Sequence, residues 1–275
     1  MPEKPFRTTH STLTPSTFPM LEQRHAAAIA GSLDADPELL PFLPELLAGL
    51  DALGYPPAFA LALVEPHLGD RRDLEMLDLG CGKGACLRAF SKKFKWHGLG
   101  VDLFPPFIED ARRSAKREGL EPRLRFTAGD MVATAAASHP VDLVIFGYDS
   151  DAFGDLNTTL QAISRPIRPG GHLLLDAAWQ NGNLPPTACT PAFHQLETAI
   201  HLAGLTSVAS KILDPQDTKR INEENTDHIR HSAFALRGRY PEHQALLARY
   251  VHAQEQASKV LDCSMINGFM LLKKV

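Results

Sequence analysis

Apolar positions in the first quarter of the chain recur at helical spacing. From Leu21 to about Leu68 the pattern is helical, interrupted by Pro37, Pro41, Pro44 and the Pro56-Pro57 pair. Asp36-Pro37-Glu38-Leu39-Leu40 has the form of an N-cap followed by proline at the first helical position. A further helix is expected from Pro56-Pro57 through Phe59, Leu61, Leu63 and Val64. The period then shortens. Leu74 to Leu79, His97 to Val101, Leu124 to Thr127, Val141 to Phe146, His172 to Leu175 and Thr206 to Leu213 read as strands. Ala85 to Phe94, Phe107 to Glu118, Leu156 to Ile167 and Phe193 to Leu202 read as the helices between them.

Such alternation predicts an α/β domain, doubly wound, with a mostly parallel sheet covered on both faces. Residues 215 to 262 break it: Asp217 to Asn225 is polar, and Pro241 to Leu261 is helical, with Leu246, Leu247, Tyr250 and Val251 on one stripe. That stripe packs onto the domain or onto a partner subunit, which leaves a homodimer open. Gly268 to Lys274 is a last apolar strand, and after so long an excursion it can re-enter the sheet antiparallel. The expected organisation is a flexible segment over 1–20, a helical cap over 21–69, and one domain over 70–275 with a late helical insertion at 215–262.

The chemistry concentrates at Asp78-Leu79-Gly80-Cys81-Gly82-Lys83-Gly84, where an apolar strand ends in an acid and three glycines alternate. A loop of this kind ahead of a helix N-terminus is where a nucleotide-like cofactor is held. Asp102 lies twenty-two residues beyond Gly80 at the end of the next strand, placed to accept from ribose hydroxyls. Gly80-Cys81-Gly82-Lys83-Gly84-Ala85 also satisfies the dinucleotide fingerprint, so an NAD-dependent oxidoreductase is one reading, although no Tyr-x-x-x-Lys or His–acid set accompanies it.

Over roughly residues 70–214 and 264–275 the sequence resembles the class I S-adenosylmethionine-dependent methyltransferases. The acid and alternate glycines of residues 78–84 match their first motif, and Asp102 ends the second strand. Gly129-Asp130-Met131 follows the third, Val141 to Phe146 looks like the fourth, and Arg168-Pro169-Gly170-Gly171 looks like the turn into the fifth. The closing strand resembles the antiparallel seventh of that Rossmann-like fold. More narrowly, residues 78–85 with Asp102 and Phe107-Ile108 resemble a group of small bacterial methyltransferases with no single shared substrate.

The resemblance implies S-adenosylmethionine as cofactor. Asp78 would orient its amino group, while Gly80, Cys81 and Gly82 let its methionine part lie across the loop. Asp102 would take the ribose and Leu103 the adenine face. Gly129, Asp130 and Met131 would meet the adenine edge, and Gly147 would lie beside the reactive methyl. Tyr148 and Asp149, after the fourth strand, are the catalytic candidates; Tyr148, Asp176 and Trp179 are expected to line the acceptor pocket. A non-catalytic protein that binds the same cofactor is the other alternative.

Composition narrows the acceptor. The net charge of −4 and pI near 6.3 leave no basic footprint for nucleic acid. Gly147-Tyr148-Asp149-Ser150 is not the Asn-Pro-Pro-aromatic tetrad of base-amine methylation. A small-molecule acceptor is expected, with no nucleic acid and no membrane. No metal is assigned: Asp149 and Asp176 could flank a magnesium ion, as in catechol-type methyltransferases, but nothing in the sequence fixes their geometry. His228 and His231, one helical turn apart, lack a third ligand. The four cysteines form no C-x-x-C pair, and no apolar run has the length of a signal peptide or a membrane span, so a cytoplasmic protein is expected.

Overall fold

The structure, a computed structural model, describes residues 23–148, 151–180 and 190–275. Seven strands form one sheet: β1 (Glu75–Leu79), β2 (His97–Asp102), β3 (Leu124–Ala128), β4 (Val141–Tyr148), β5 (Ile167–Gln180), β6 (Leu205–Ile212) and β7 (Met265–Lys274). Their order is β3-β2-β1-β4-β5-β7-β6, and β7 runs antiparallel to both neighbours while the other pairings are parallel. The doubly wound fold expected from the alternation is therefore present, reversed strand included. β4 is apolar on both faces, as a central parallel strand must be when helices cover both sides.

Strand alternation sorts the core. Met76, Leu143, Ile145, Leu174, Phe269 and Leu271 face one side, under α3 (Pro57–Leu68), α4 (Ala85–Phe94) and α5 (Pro105–Arg117). Leu77, Leu79, Val144, Phe146, Leu173 and Leu175 face the other, under α6 (Met131–Ala137), α7 (Leu156–Ser164) and α8 (Phe193–Leu202). A third cluster joins α1 (Gln23–Ser32) and α2 (Leu43–Leu46) to the hairpin of α9 (Pro215–Arg239) and α10 (Gln244–Ser264). Within the region expected as a cap, α3 thus belongs to the core of the sheet, while α1 and α2 pack with the hairpin.

Several elements differ from the periodicity reading, which did not give α6. β5 is fourteen residues long, not four: β4 pairs with its first residue, Ile167, and β7 pairs with it from His172↔Lys273 to Gln180↔Met265. The polar stretch 217–225 is the start of a 25-residue helix. Asp214 caps it by accepting from the Gln216 amide, and Arg220 pairs with Asp217 and Glu224 on the outside. Its inner face carries Thr218, Asn222 and Thr226 where an apolar stripe is usual, and these hide it from a hydrophobicity count. The 1–20 segment lies outside the described residues.

Candidate functional site

The site forms at the carboxyl ends of β1, β2 and β4, where open α/β sheets bind ligands. Gly80 and Cys81 both donate their amides to the Val101 carbonyl, at 2.8 and 2.9 Å, which folds the loop after β1 over the end of β2. Gly84 closes the loop at φ +71°, where a Cβ would come within 2.4 Å of the Phe126 ring; only glycine fits there. The Cys81 side chain packs against the sheet core and comes within 2.8 Å of a Cβ built on Gly100, so it fills space behind the loop.

Asp78 alternates out of the Leu77–Leu79 face and lies at the base of this loop. It is 5% exposed and accepts no hydrogen bond among the described residues. Burial, and secondarily the Asp102 carboxylate, push its pKa up to about 7. Asp102 is held in place by its own backbone bonds: one oxygen accepts the Gly82 amide and the other the Phe104 amide, both at 2.9 Å. Burial raises its pKa and those two bonds oppose the rise. Each oxygen keeps a lone pair for a ligand hydroxyl.

The other expected cofactor contacts surround this pair. Gly129 donates to the Asp102 carbonyl at 2.9 Å, which ties the end of β3 to the end of β2. Asp130 is the N-cap of α6: one oxygen accepts the Val132 amide at 2.8 Å, leaving the other facing solvent. The Met131 sulfur comes within 3.7 Å of a Cβ built on Gly80. Leu103, half-buried, packs against the third cluster. Gly147 is exposed, with open space where a Cβ would project.

On the acceptor side, register places Gly147 beside Asp176 and Asp176 beside Phe269, all on the sheet face that carries Asp78. Burial, then the Asp78 and Asp176 carboxylates, push the Cys86 thiol well up, which disfavours the thiolate. Tyr148 and Trp179, expected in this pocket, lie elsewhere. Side chains alternate along a strand, so with Gly147 and Asp176 on one face Tyr148 falls on the other. There Tyr148 and Trp179 are buried beneath α7 and α8. Asp149 lies outside the described residues. Among those described, no three His, Cys, Asp or Glu side chains are grouped to hold a metal ion, and no helix is long and apolar enough to cross a membrane.

Sequence reasoning did not find the residues that close the site from above. The segment 47–55 crosses the glycine loop as a strap. Lys83, 6% exposed, leaves the loop and donates to the carbonyls of Leu47 and Leu50 at 2.5 and 2.9 Å, with Asp110 at 3.8 Å. Arg88, also buried, bonds Asp51 at 2.5 Å and pairs with Glu118. Leu53 lies 3.1 Å from a Cβ built on Gly82, and Tyr55 reaches the Phe269 ring. No motif announces these contacts, because each joins residues more than twenty-five positions apart.

With this geometry in place, comparison with known proteins is decisive. The profile of the family described as "Methyltransferase domain" matches residues 70–226. The chain belongs to that family. The matched span holds the glycine loop, Asp102, Asp130, Gly147 and Asp176. Aklanonic acid methyltransferase DauC from Streptomyces sp. (strain C5) is 29% identical over 136 residues, 48% of this chain and 60% of that protein. The chain thus spans under two thirds of that relative's length. A methyltransferase from Geobacter sulfurreducens, solved in complex with S-adenosyl-L-homocysteine, superposes with a TM-score of 0.70 at 16% identity over 88% of this chain and 99% of that one. The [4+2]-cyclase SpnF superposes at 0.68 and 16% identity, over 93% and 97%. At such identities the methyltransferase domain shares a fold with these structures, and the fold alone does not choose the reaction.

Proposed function

We propose that the chain is an S-adenosylmethionine-dependent methyltransferase acting on a small-molecule acceptor. The observation that carries this reading is Asp78, a buried carboxyl with no hydrogen-bond donor among the described residues, at the base of a glycine loop. A buried carboxylate is costly unless a cation pairs with it, and the amino-acid end of S-adenosylmethionine brings an ammonium. A dinucleotide would place its pyrophosphate over the same loop, against Asp78 and Asp102. The cation of the loop, Lys83, is turned away to Leu47 and Leu50. Charge therefore disfavours NAD where glycine spacing admitted it.

When bound, S-adenosylmethionine supplies a methyl on a sulfonium: the acceptor's lone pair forms the new bond as carbon–sulfur breaks, and sulfur keeps the pair. The protein's part is placement, which can account for most of such a rate enhancement. Asp78 would hold the ammonium, and Asp102 the ribose hydroxyls. The second oxygen of Asp130, with Met131, would meet the adenine edge. Gly147, lacking a side chain, leaves room at the end of β4, and Leu53 on the strap excludes water from the loop.

Calorimetry with S-adenosylmethionine, S-adenosylhomocysteine and NAD tests this. Binding of the first two is expected; binding of NAD alone would overturn it. Release of S-adenosylhomocysteine in the presence of a small-molecule cell extract then separates an enzyme from a cofactor-binding protein without turnover.

A further inference from the structure

Beyond the cofactor side, the strap delivers a phenol into the interior. The Tyr55 ring meets Phe269 edge-on, with centroids 6.4 Å apart. Its hydroxyl is shielded from solvent and makes no hydrogen bond of good geometry. The nearby polar groups are the Thr218 hydroxyl and the carboxylates of Asp176 and Asp262. They come from three further elements: Asp176 from β5, Thr218 from α9 and Asp262 from α10. Asp262 is steadied by Asn222 Nδ2 at 2.7 Å, and Thr218 is buried. Both charges acting on the phenol are negative, and with burial they keep it protonated.

A shielded hydroxyl with poor bonding in the folded protein is a group waiting for a partner. Its neighbourhood selects the charge of that partner. An anionic acceptor would meet two carboxylates, whereas an ammonium would gain both of them and the faces of Tyr55 and Phe269. Asp176 is paired in register with Gly147, so a group held on Asp176 lies next to the open end of β4.

We propose that Tyr55, Asp176 and Thr218 form the recognition site for a protonated amine, and that the atom methylated is its nitrogen. The inference rests on the methyltransferase reading and deepens it. An ammonium has no free electron pair. One N–H proton therefore passes from nitrogen to a carboxylate oxygen of Asp176 and on to water, and the pair left on nitrogen is the nucleophile. The Tyr55 oxygen accepts a second N–H and orients that pair.

The test uses the full chain loaded with S-adenosylhomocysteine and three probes of matched shape: 2-phenylethylamine, 2-phenylethanol and 3-phenylpropanoate, each titrated by calorimetry. The amine is expected to bind at least about tenfold more tightly than the alcohol or the acid, and Asp176→Asn is expected to remove that preference. Tyr55→Phe, which keeps the ring on Phe269, should weaken amine binding about threefold or more while leaving S-adenosylhomocysteine affinity within about twofold. Should Asp176→Asn melt early, the Tyr55→Phe comparison stands by itself. Absence of amine binding, preference for the alcohol or the acid, or unchanged amine affinity in Tyr55→Phe would overturn the proposal. Failure of the wild type to bind S-adenosylhomocysteine would instead overturn the methyltransferase reading beneath it.

Discussion

The Asp102 carboxylate accepts the Gly82 amide proton at 2.9 Å, so the acid that ends β2 holds the loop that ends β1. The bond joins two parts of the protein itself, so the acid helps to shape the loop that it flanks. Preorganisation of this kind reduces the ordering cost of binding.

Asp102→Ala is therefore expected to act twice. It removes the acceptor for two backbone amides, at a cost to stability of about 1–3 kcal/mol, and it removes the ribose contact. Affinity for S-adenosylhomocysteine should fall by more than about tenfold by calorimetry. A thermal melt of the unliganded variant separates the two losses; unchanged affinity would refute the ribose role.

Asp78 sets a pH dependence. Its folded-state pKa, raised to about 7 from 3.8, means that the fold takes up a proton between those values, so this group makes the protein less stable as pH rises from 3.8 through about 7. Asp78→Asn should leave stability near pH 4 unchanged and raise it above that of the wild type at pH 8, measured by urea denaturation. In the wild type, ligand affinity should rise over the same interval, because the ammonium pairs with the ionised form. Calorimetry at pH 6 in two buffers of different ionisation enthalpy should show a proton released on binding.

Lys83 ties the strap to the glycine loop through the Leu47 and Leu50 carbonyls. Hydrogen bonds from a charged donor contribute roughly 1.5–3 kcal/mol, so Lys83→Met should lower the melting temperature. Amide exchange should quicken across 43–55 ahead of the sheet strands. Uniform exchange across both regions would show that the strap does not open separately.

Gly84 and Gly147 should respond oppositely to the same substitution. Gly84→Ala meets the Phe126 ring at 2.4 Å and a left-handed backbone, which together cost roughly 2–4 kcal/mol. Gly147→Ala meets nothing within 4 Å and should change stability by no more than about 0.5 kcal/mol, while its methyl narrows the acceptor entrance and slows turnover. Denaturant midpoints and initial rates of S-adenosylhomocysteine release distinguish the two.

The alternation of strands with helices and the cofactor loop were readable because both are written locally. Strands of period two alternate with helices of period 3.6, and the residues from Asp78 to Gly84 are contiguous. Helix α9 was harder, since its inner face uses Thr218 and Asn222 where hydrophobic residues usually mark the buried stripe. Tyr148 illustrates a different limit. Its place one residue past Gly147 was plain, but the face it takes follows from the register of β4 against β1 and β5.

By itself the sequence determined the doubly wound sheet, the returning last strand and the glycine loop flanked by Asp78 and Asp102, since short-range periodicity and turn chemistry suffice for these. Tertiary structure alone decided which side chains gather around the glycine loop. Lys83 turns to Leu47, Leu53 covers Gly82, and Tyr55 meets Phe269 across distances in the chain that no local pattern spans. Those contacts form only when the cap, the sheet and the α9–α10 hairpin bury one another's apolar faces, so they are properties of the packed whole.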